Sequence, residues 1–213
     1  MSSITIIGAG NMARILGARA LAGGNTVEII GRDAAKAAAL AHALGGGTTT
    51  GTAGRAPAGD IVILAVPYAS AAPVVRQYGN ALTGKIIVDI SNAFDPAGTG
   101  LVTPDGSSAA QETAKAAAPA GAHVVKAFNT IFGHVLAADQ AQGRPLDVFI
   151  AGDDAEAKAR VSSFIESLAL RPLDTGPLKM AHWLEGAGLL MVAPAVGKAA
   201  DGHDFWLGIN NLA

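Results

Sequence analysis

The chain has 213 residues, enough for one large core with a short appended module. Hydrophobic residues make up 50% and charged residues only 15%, and the net charge of −2 excludes broad electrostatic attraction to nucleic acid or an anionic membrane surface. With no cysteine, disulfides, thiolate metal sites and cysteine nucleophiles are excluded as well.

The start, MSSITIIGAG, has no basic segment ahead of its apolar run. No apolar stretch reaches the roughly 18 residues of a membrane span. The expectation is a soluble, cytoplasmic protein. Ser3 to Ile7 reads as a first strand, and Asn11 to Ala22 as a helix. Thr26 to Ile30 is a second strand, and Asp33 caps a helix running to Leu44. Residues 45–59 are rich in glycine and threonine, and predict a short, weak third strand and a turn of helix. Asp60 to Val66 is a continuous β-branched run, as a strand buried on both faces requires. A helix is expected over Tyr68 to Leu82, a strand over Lys85 to Ile90, a long loop, and a helix from Ser107 to Ala117. A sixth strand ends at Val124 to Ala127. Asp147 to Ala151, Ala155 to Leu170 and Arg171 to Asp174 then give strand, helix and strand, and Leu178 to Met191 an apolar helix.

Short apolar runs alternating with helical patterns predict an α/β fold: a Rossmann-type, doubly wound, mostly parallel sheet. Residues 1–145 are assigned to the Rossmann domain. Residues 146–213 are assigned to a small C-terminal α/β portion that contributes to the substrate pocket and to dimerisation.

Gly8-Ala9-Gly10-Asn11-Met12-Ala13 follows the first strand and opens a helix, the setting that a dinucleotide fingerprint demands. Gly8 permits the turn, Gly10 lets the backbone approach a pyrophosphate, and Ala13 keeps the helix close to the sheet. The helix N-terminus offers N–H groups to the phosphates. At the end of the second strand an NAD site places a carboxylate; this chain has Gly31-Arg32-Asp33, with Lys36 one turn on. Glu28 lies too early in the strand and Asp33 is spent as a cap. Arg32 and Lys36 therefore favour the 2′-phosphate of NADP. Val66-Pro67-Tyr68 end the central strand where the sheet reverses its winding, and Ser91-Asn92 end the next strand on the same rim, as nicotinamide contacts or as turn formers.

In HVVKAFNTIFGHV, residues 123–135, Ala127 lies at the strand end beside the cofactor, while Phe128, Asn129 and Thr130 could frame the nicotinamide and a planar partner, with His134 within reach as a substrate contact. In the last helix, Met180, Leu184, Ala187 and Met191 recur at core spacing, and His182 and Glu185 could pair three residues apart. No His-rich metal pattern and no G-x-S-x-G elbow occurs. The tail DFWLGIN is expected to dock on the body or on a second subunit.

GAGNMA, GRD with Lys36, AVP at 65–67, VVKAFNT at 124–130 and the final helix together resemble the F420-dependent NADP reductases over essentially the whole length. The same nucleotide fold occurs in membrane ferric reductases of the STEAP type. GAGNMA is also similar to the start of pyrroline-5-carboxylate reductases, whose larger helical dimerisation domain this chain is too short to supply. The resemblance implies hydride transfer between NADP(H) and a deazaflavin, coenzyme F420, in a homodimer, with no discrete catalytic residue. It implies that Gly8, Gly10, Asn11 and Met12 hold the pyrophosphate and that Arg32 and Lys36 hold the 2′-phosphate. Ala65, Val66 and Pro67 would line ribose and nicotinamide. Ala13 and Gly31 depart from the pattern, which often has a third glycine and a hydroxyl residue there. A reductase of another flavin, an imine or a carbonyl stays open, with His134 or Lys126 as proton donor. So does a non-catalytic NADP-binding regulator.

Overall fold

The computed structural model describes residues 1–138, 144–196 and 206–210. Among them, eight strands form one sheet: β1 (Ser3–Ile7), β2 (Thr26–Ile30), β3 (Thr49–Thr50), β4 (Ile61–Leu64), β5 (Ile86–Asp89), β6 (His123–Lys126), β7 (Asp147–Gly152) and β8 (Arg171–Asp174). Their spatial order is β3-β2-β1-β4-β5-β6-β7-β8, and every pairing is parallel except β6 with β7. The winding reverses between β1 and β4, so the carboxyl ends of these two strands open a crevice. This is the expected α/β, Rossmann-like architecture.

Strand residues alternate between two cores. Ile61 and Ile63 of β4 face the layer that contains α1 (Asn11–Ala22), α2 (Ala34–Leu44), α5 (Gly133–Ala137) and α6 (Ala155–Ser167). Val62 and Leu64 face α3 (Tyr68–Tyr78), α4 (Ala109–Ala117) and α7 (Ala181–Val196). Each fully buried Ile or Leu contributes about 1.5–3 kcal/mol. Both clusters include residues beyond 146: Val148, Ile150 and Phe164 join the first, Leu178 and Ala181 the second. Residues 147–174 thus extend the same sheet.

Several expected boundaries shift for local reasons. No helical turn forms in residues 45–59, where Gly45, Gly46, Gly47 and Gly54 take positive φ and leave only the two-residue β3 and turns. The helix from Tyr68 stops at Tyr78 because Gly79 adopts φ 47°, and a 3-10 turn completes the run to Leu82. The helix from Ala155 ends at Ser167, ahead of Ala169 at φ 57°. In the last helix, Leu178–Met180 is a 3-10 turn, and α7 then runs five residues beyond the expected end at Met191.

Of the tail, residues 206–210 dock on the body; Asp204 and Phe205 lie outside the described residues. The Ile209 N–H donates to Asp147 Oδ2 at 2.7 Å, and Arg171 donates to the Ile209 carbonyl at 2.6 Å. Burial pushes the Asp147 carboxyl up, but hydrogen bonds from Arg171 and Ile209 outweigh it and hold the group below the usual carboxylate range.

Candidate functional site

Gly8, at φ 134°, turns the chain out of β1 and donates its N–H to the Ile30 carbonyl at 2.7 Å. A Cβ there would stand 2.2 Å from the Ala65 carbonyl oxygen, so only glycine fits between the ends of β1 and β4. Gly10 precedes α1 with extended backbone, no side chain caps the helix, and a Cβ at Gly10 would meet nothing within 4 Å. No side chain among the described residues caps the first N–H groups of α1, the setting in which helix starts bind anions. Ala13, wholly buried, brings this helix close to the sheet.

At the tip of β2, Asp33 is the helix cap expected: its Oδ1 accepts from Ala35 N at 3.0 Å and Lys36 N at 3.1 Å. The side chains of Arg32 and Lys36 are exposed and make no hydrogen bond or ion pair among the described residues. A Cβ at Gly31 would lie 3.1 Å from the Asp33 carbonyl oxygen and 3.2 Å from Ala37 Cβ, which keeps this corner bare.

A cleft of about 370 Å³ runs from Gly10, Asn11 and Met12 across Ala65, Val66 and Pro67 to Asn92. A second cavity of about 220 Å³ shares Met12, Ile90 and Asn92 with the cleft, and is closed by the loop Phe128–Gly133 and by Gly188 and Met191 of α7. The two spaces therefore adjoin through one wall. Asn92 and Asn129 are paired across the rim: Asn92 Nδ2 donates to the Asn129 carbonyl at 2.9 Å, and Asn129 Nδ2 donates to Asn92 Oδ1 at 3.0 Å and to the Leu184 carbonyl at 2.8 Å. Asn129 Oδ1 and Thr130 Oγ1 are buried in this wall with no hydrogen-bond partner among the described residues. A ligand N–H or O–H would satisfy both.

The other expected partner-site residues fall differently. Phe128 borders the second cavity, yet its ring is 1% exposed and packs edge-on to Phe164, with centroids 6.5 Å apart. Its φ of 61° is a strained conformation for a non-glycine residue. His134 is exposed on α5, stacks on Phe132 at 5.7 Å, and lines neither cavity. Ala127 is wholly buried under the rim, where its N–H donates to the Asp89 carbonyl at 3.1 Å.

Lys126 is no free proton donor. It is fully buried, and its ammonium is bound by Asp89 Oδ1 at 3.2 Å, by Glu185 Oε1 at 2.8 Å and by the Ser91 carbonyl. Burial alone would raise the Asp89 carboxyl; the Lys126 ammonium and hydrogen bonds from Thr113 and Ser91 overcome this and hold it below the usual range. The His182–Glu185 pair does not form. His182 Nδ1 lies 2.8 Å from the Ser107 carbonyl, while Glu185 turns inward and accepts from the Ala109 N–H at 3.0 Å. Tyr68, placed by the sequence at the end of the central strand and the start of a helix, opens α3 and lines the cleft. Burial, then the charges of Glu112 and Glu185, push its phenol up, so it stays protonated at neutral pH.

The fold is a Rossmann-type α/β sheet, with the glycine turn of a dinucleotide fingerprint at the end of β1. Residues 3–93 match the family model for coenzyme F420-dependent NADP oxidoreductases. It is 32% identical over 192 residues to the metalloreductase STEAP3 of Rattus norvegicus, covering 89% of this chain and 37% of that protein. It is 28% identical over 139 residues to the F420-dependent NADP reductase of Methanocaldococcus jannaschii, covering 63% of this chain and 61% of that one. The chain thus spans less than two thirds of either relative. A solved structure from Arthrobacter sp. FB24, provisionally assigned as an F420-dependent NADP reductase, superposes with a TM-score of 0.85 at 24% identity, over 99% of this chain and 100% of that one; it shares the fold. No described helix is long and apolar enough to cross a membrane.

Proposed function

We propose that the chain passes a hydride between NADP(H) in the cleft and a deazaflavin of the F420 type in the adjoining cavity. The observation that carries this reading is the shared wall: Met12, Ile90 and Asn92 border both spaces. The dinucleotide supplies the hydride-carrying ring. The open N–H groups of α1, with Gly8, Gly10, Asn11, Met12 and Ala13, would bind its pyrophosphate, and Arg32 and Lys36 its 2′-phosphate beside Gly31. Ala65, Val66, Pro67 and Asn92 would orient ribose and nicotinamide, with Ala127 behind them. Asn129 and Thr130 offer the acceptor two unpaired polar atoms. Transfer between two rings held in contact needs positioning more than acid–base help, which suits a cavity with neither Lys126 nor His134 free in its wall.

Mixing the protein with NADPH and oxidised F420 is expected to bleach the nicotinamide absorbance; activity with FMN or riboflavin alone would overturn the acceptor. A second reading, reduction of an imine or carbonyl, is favoured by one observation: the protonated phenol of Tyr68 in the cleft. Tyr68→Phe separates the two. It is expected to leave deazaflavin reduction within a few-fold, whereas a loss of about 10²–10⁴-fold would make Tyr68 the proton donor.

A homodimer belongs to the same proposal, with residues 146–213 as its C-terminal portion. Helix α7 buries Leu184 and Met191 but exposes Trp183 and Leu190, at 67% and 74% of their surface. A helix apolar all round is stable only when covered on every side. Leu190→Glu is expected to give monomers in sedimentation; a wild-type protein that sediments as a monomer would remove the dimer from the proposal.

A further inference from the structure

Asp89, Lys126 and Glu185 are fully buried and line neither cavity, yet each stands just behind a piece of the cavity wall. Asp89 precedes Ile90 and Asn92 at the end of β5. Lys126 sits beside it in register at the end of β6 and precedes Phe128–Thr130. Glu185 lies one turn before Gly188 on α7. Lys126 binds one group on each of β5, the loop after it, and α7. Glu185 also takes the first N–H groups of α4, from Ala109 and Ala110 at 3.0 and 3.4 Å, and Thr113 of α4 donates to Asp89 Oδ2 at 2.7 Å.

Stability alone does not explain this arrangement, because apolar residues of equal volume would serve as well or better in a closed core. Helix α7 has a need that apolar packing cannot meet. It carries large apolar residues on its exposed side, Trp183 and Leu190, as well as on its buried side, Leu184 and Met191, so apolar burial alone fixes its rotation and its slide along the sheet only weakly. Its approach to the rim is nonetheless close. A Cβ at Gly188 would stand 3.1 Å from Asn92 Oδ1 and 3.3 Å from the Asn129 carbonyl oxygen. A directional charge pair one turn earlier supplies that register.

We propose that Lys126 and Glu185 are positioning residues: through Asp89 and the start of α4 they lock α7 against the ends of β5 and β6, and so set the depth of the cavity and the approach of an acceptor to the nicotinamide. The claim rests on the reading of that cavity as the acceptor site. Glu185→Gln keeps shape and an accepting oxygen; Glu185→Ala removes both. For Glu185→Ala the expected result is unchanged NADPH affinity by fluorescence titration and a fall of about 10²-fold in single-turnover transfer to F420. An altered deuterium isotope effect from labelled NADPH is expected too, with Glu185→Gln intermediate. Amide hydrogen exchange should accelerate in α7 and residues 128–133 while β1 through α2 stay protected. A uniform rise in exchange, with transfer by the folded protein and its isotope effect unchanged, would overturn the proposal. If the wild-type protein reduces no deazaflavin, the functional reading fails by itself. The exchange pattern then decides the positioning claim alone: confined to α7 and 128–133 it supports the claim, and spread evenly it refutes it.

Discussion

Lys126→Met is expected to lower the melting temperature by roughly 10 °C. Removing one partner of a buried ion pair costs about 3–5 kcal/mol, and each kcal/mol shifts the transition of a chain this size by about 2–4 °C. The cause is the charge left behind: Asp89 and Glu185 are fully buried and would face each other without the ammonium between them. Two further measurements separate this cause from a mere change of packing. Adding Glu185→Gln to Lys126→Met should recover part of the loss, because it removes one uncompensated charge. The gap between wild type and variant should also narrow as the pH falls. In the wild type the Asp89 carboxyl lies below its unfolded value, so its contribution is present above the ordinary carboxylate range and is lost as pH falls through the lowered value. In the variant the ammonium is gone, and only the hydrogen bonds from Thr113 and Ser91 oppose burial, so the carboxyl lies higher than in the wild type. Less stability is then lost to protonation as the pH falls. A pH-independent gap, or a double variant no better than the single, would mean that the Lys126 side chain acts by filling space.

The sheet and its glycine turn were legible because their signals are local. Continuous apolar runs marked the strands buried on both faces, and the turn at Gly8 needs a residue that clears the Ala65 carbonyl, which only glycine does. The cap at Asp33 was legible for the same reason, since its partners are Ala35 and Lys36. The ion network was hidden by distance. Lys126 reaches partners 37 and 59 residues away, and a charge at a strand end reads as a rim residue. One signal did exist: IIVD of β5 and HVVK of β6 end in opposite charges, and side-by-side registration brings those two ends together. Glu185 was misread because helical spacing proposed His182 as its partner. Spacing says which residues share a helix face and nothing of what that face meets. Glu185 meets the start of α4, whose N–H groups need an acceptor. The left-handed backbone at Phe128 had no sequence signal, because no glycine or asparagine marks that position.

Replacing Arg32 by Ser and Lys36 by Ala is expected to weaken NADPH binding by about 10–100-fold and to leave NADH nearly untouched. A hydrogen bond to a charged group is worth about 1.5–3 kcal/mol, and each 1.4 kcal/mol is tenfold in affinity. Most of the effect belongs to Arg32, whose planar guanidinium can grip a phosphate with two N–H groups, whereas Lys36 adds a point charge. Both side chains are exposed, so the difference between wild type and variant should shrink as salt rises. Asp33 stands next to Arg32 and is the one carboxylate that could turn the corner toward the unphosphorylated ribose. It is held instead by two backbone N–H groups of α2. Asp33→Ala is accordingly expected to cost about 1 kcal/mol of helix capping and no coenzyme preference. A double variant that keeps its preference for NADPH would show that the 2′-phosphate is recognised elsewhere. The bare corner at Gly31 would then need another reason for excluding a side chain.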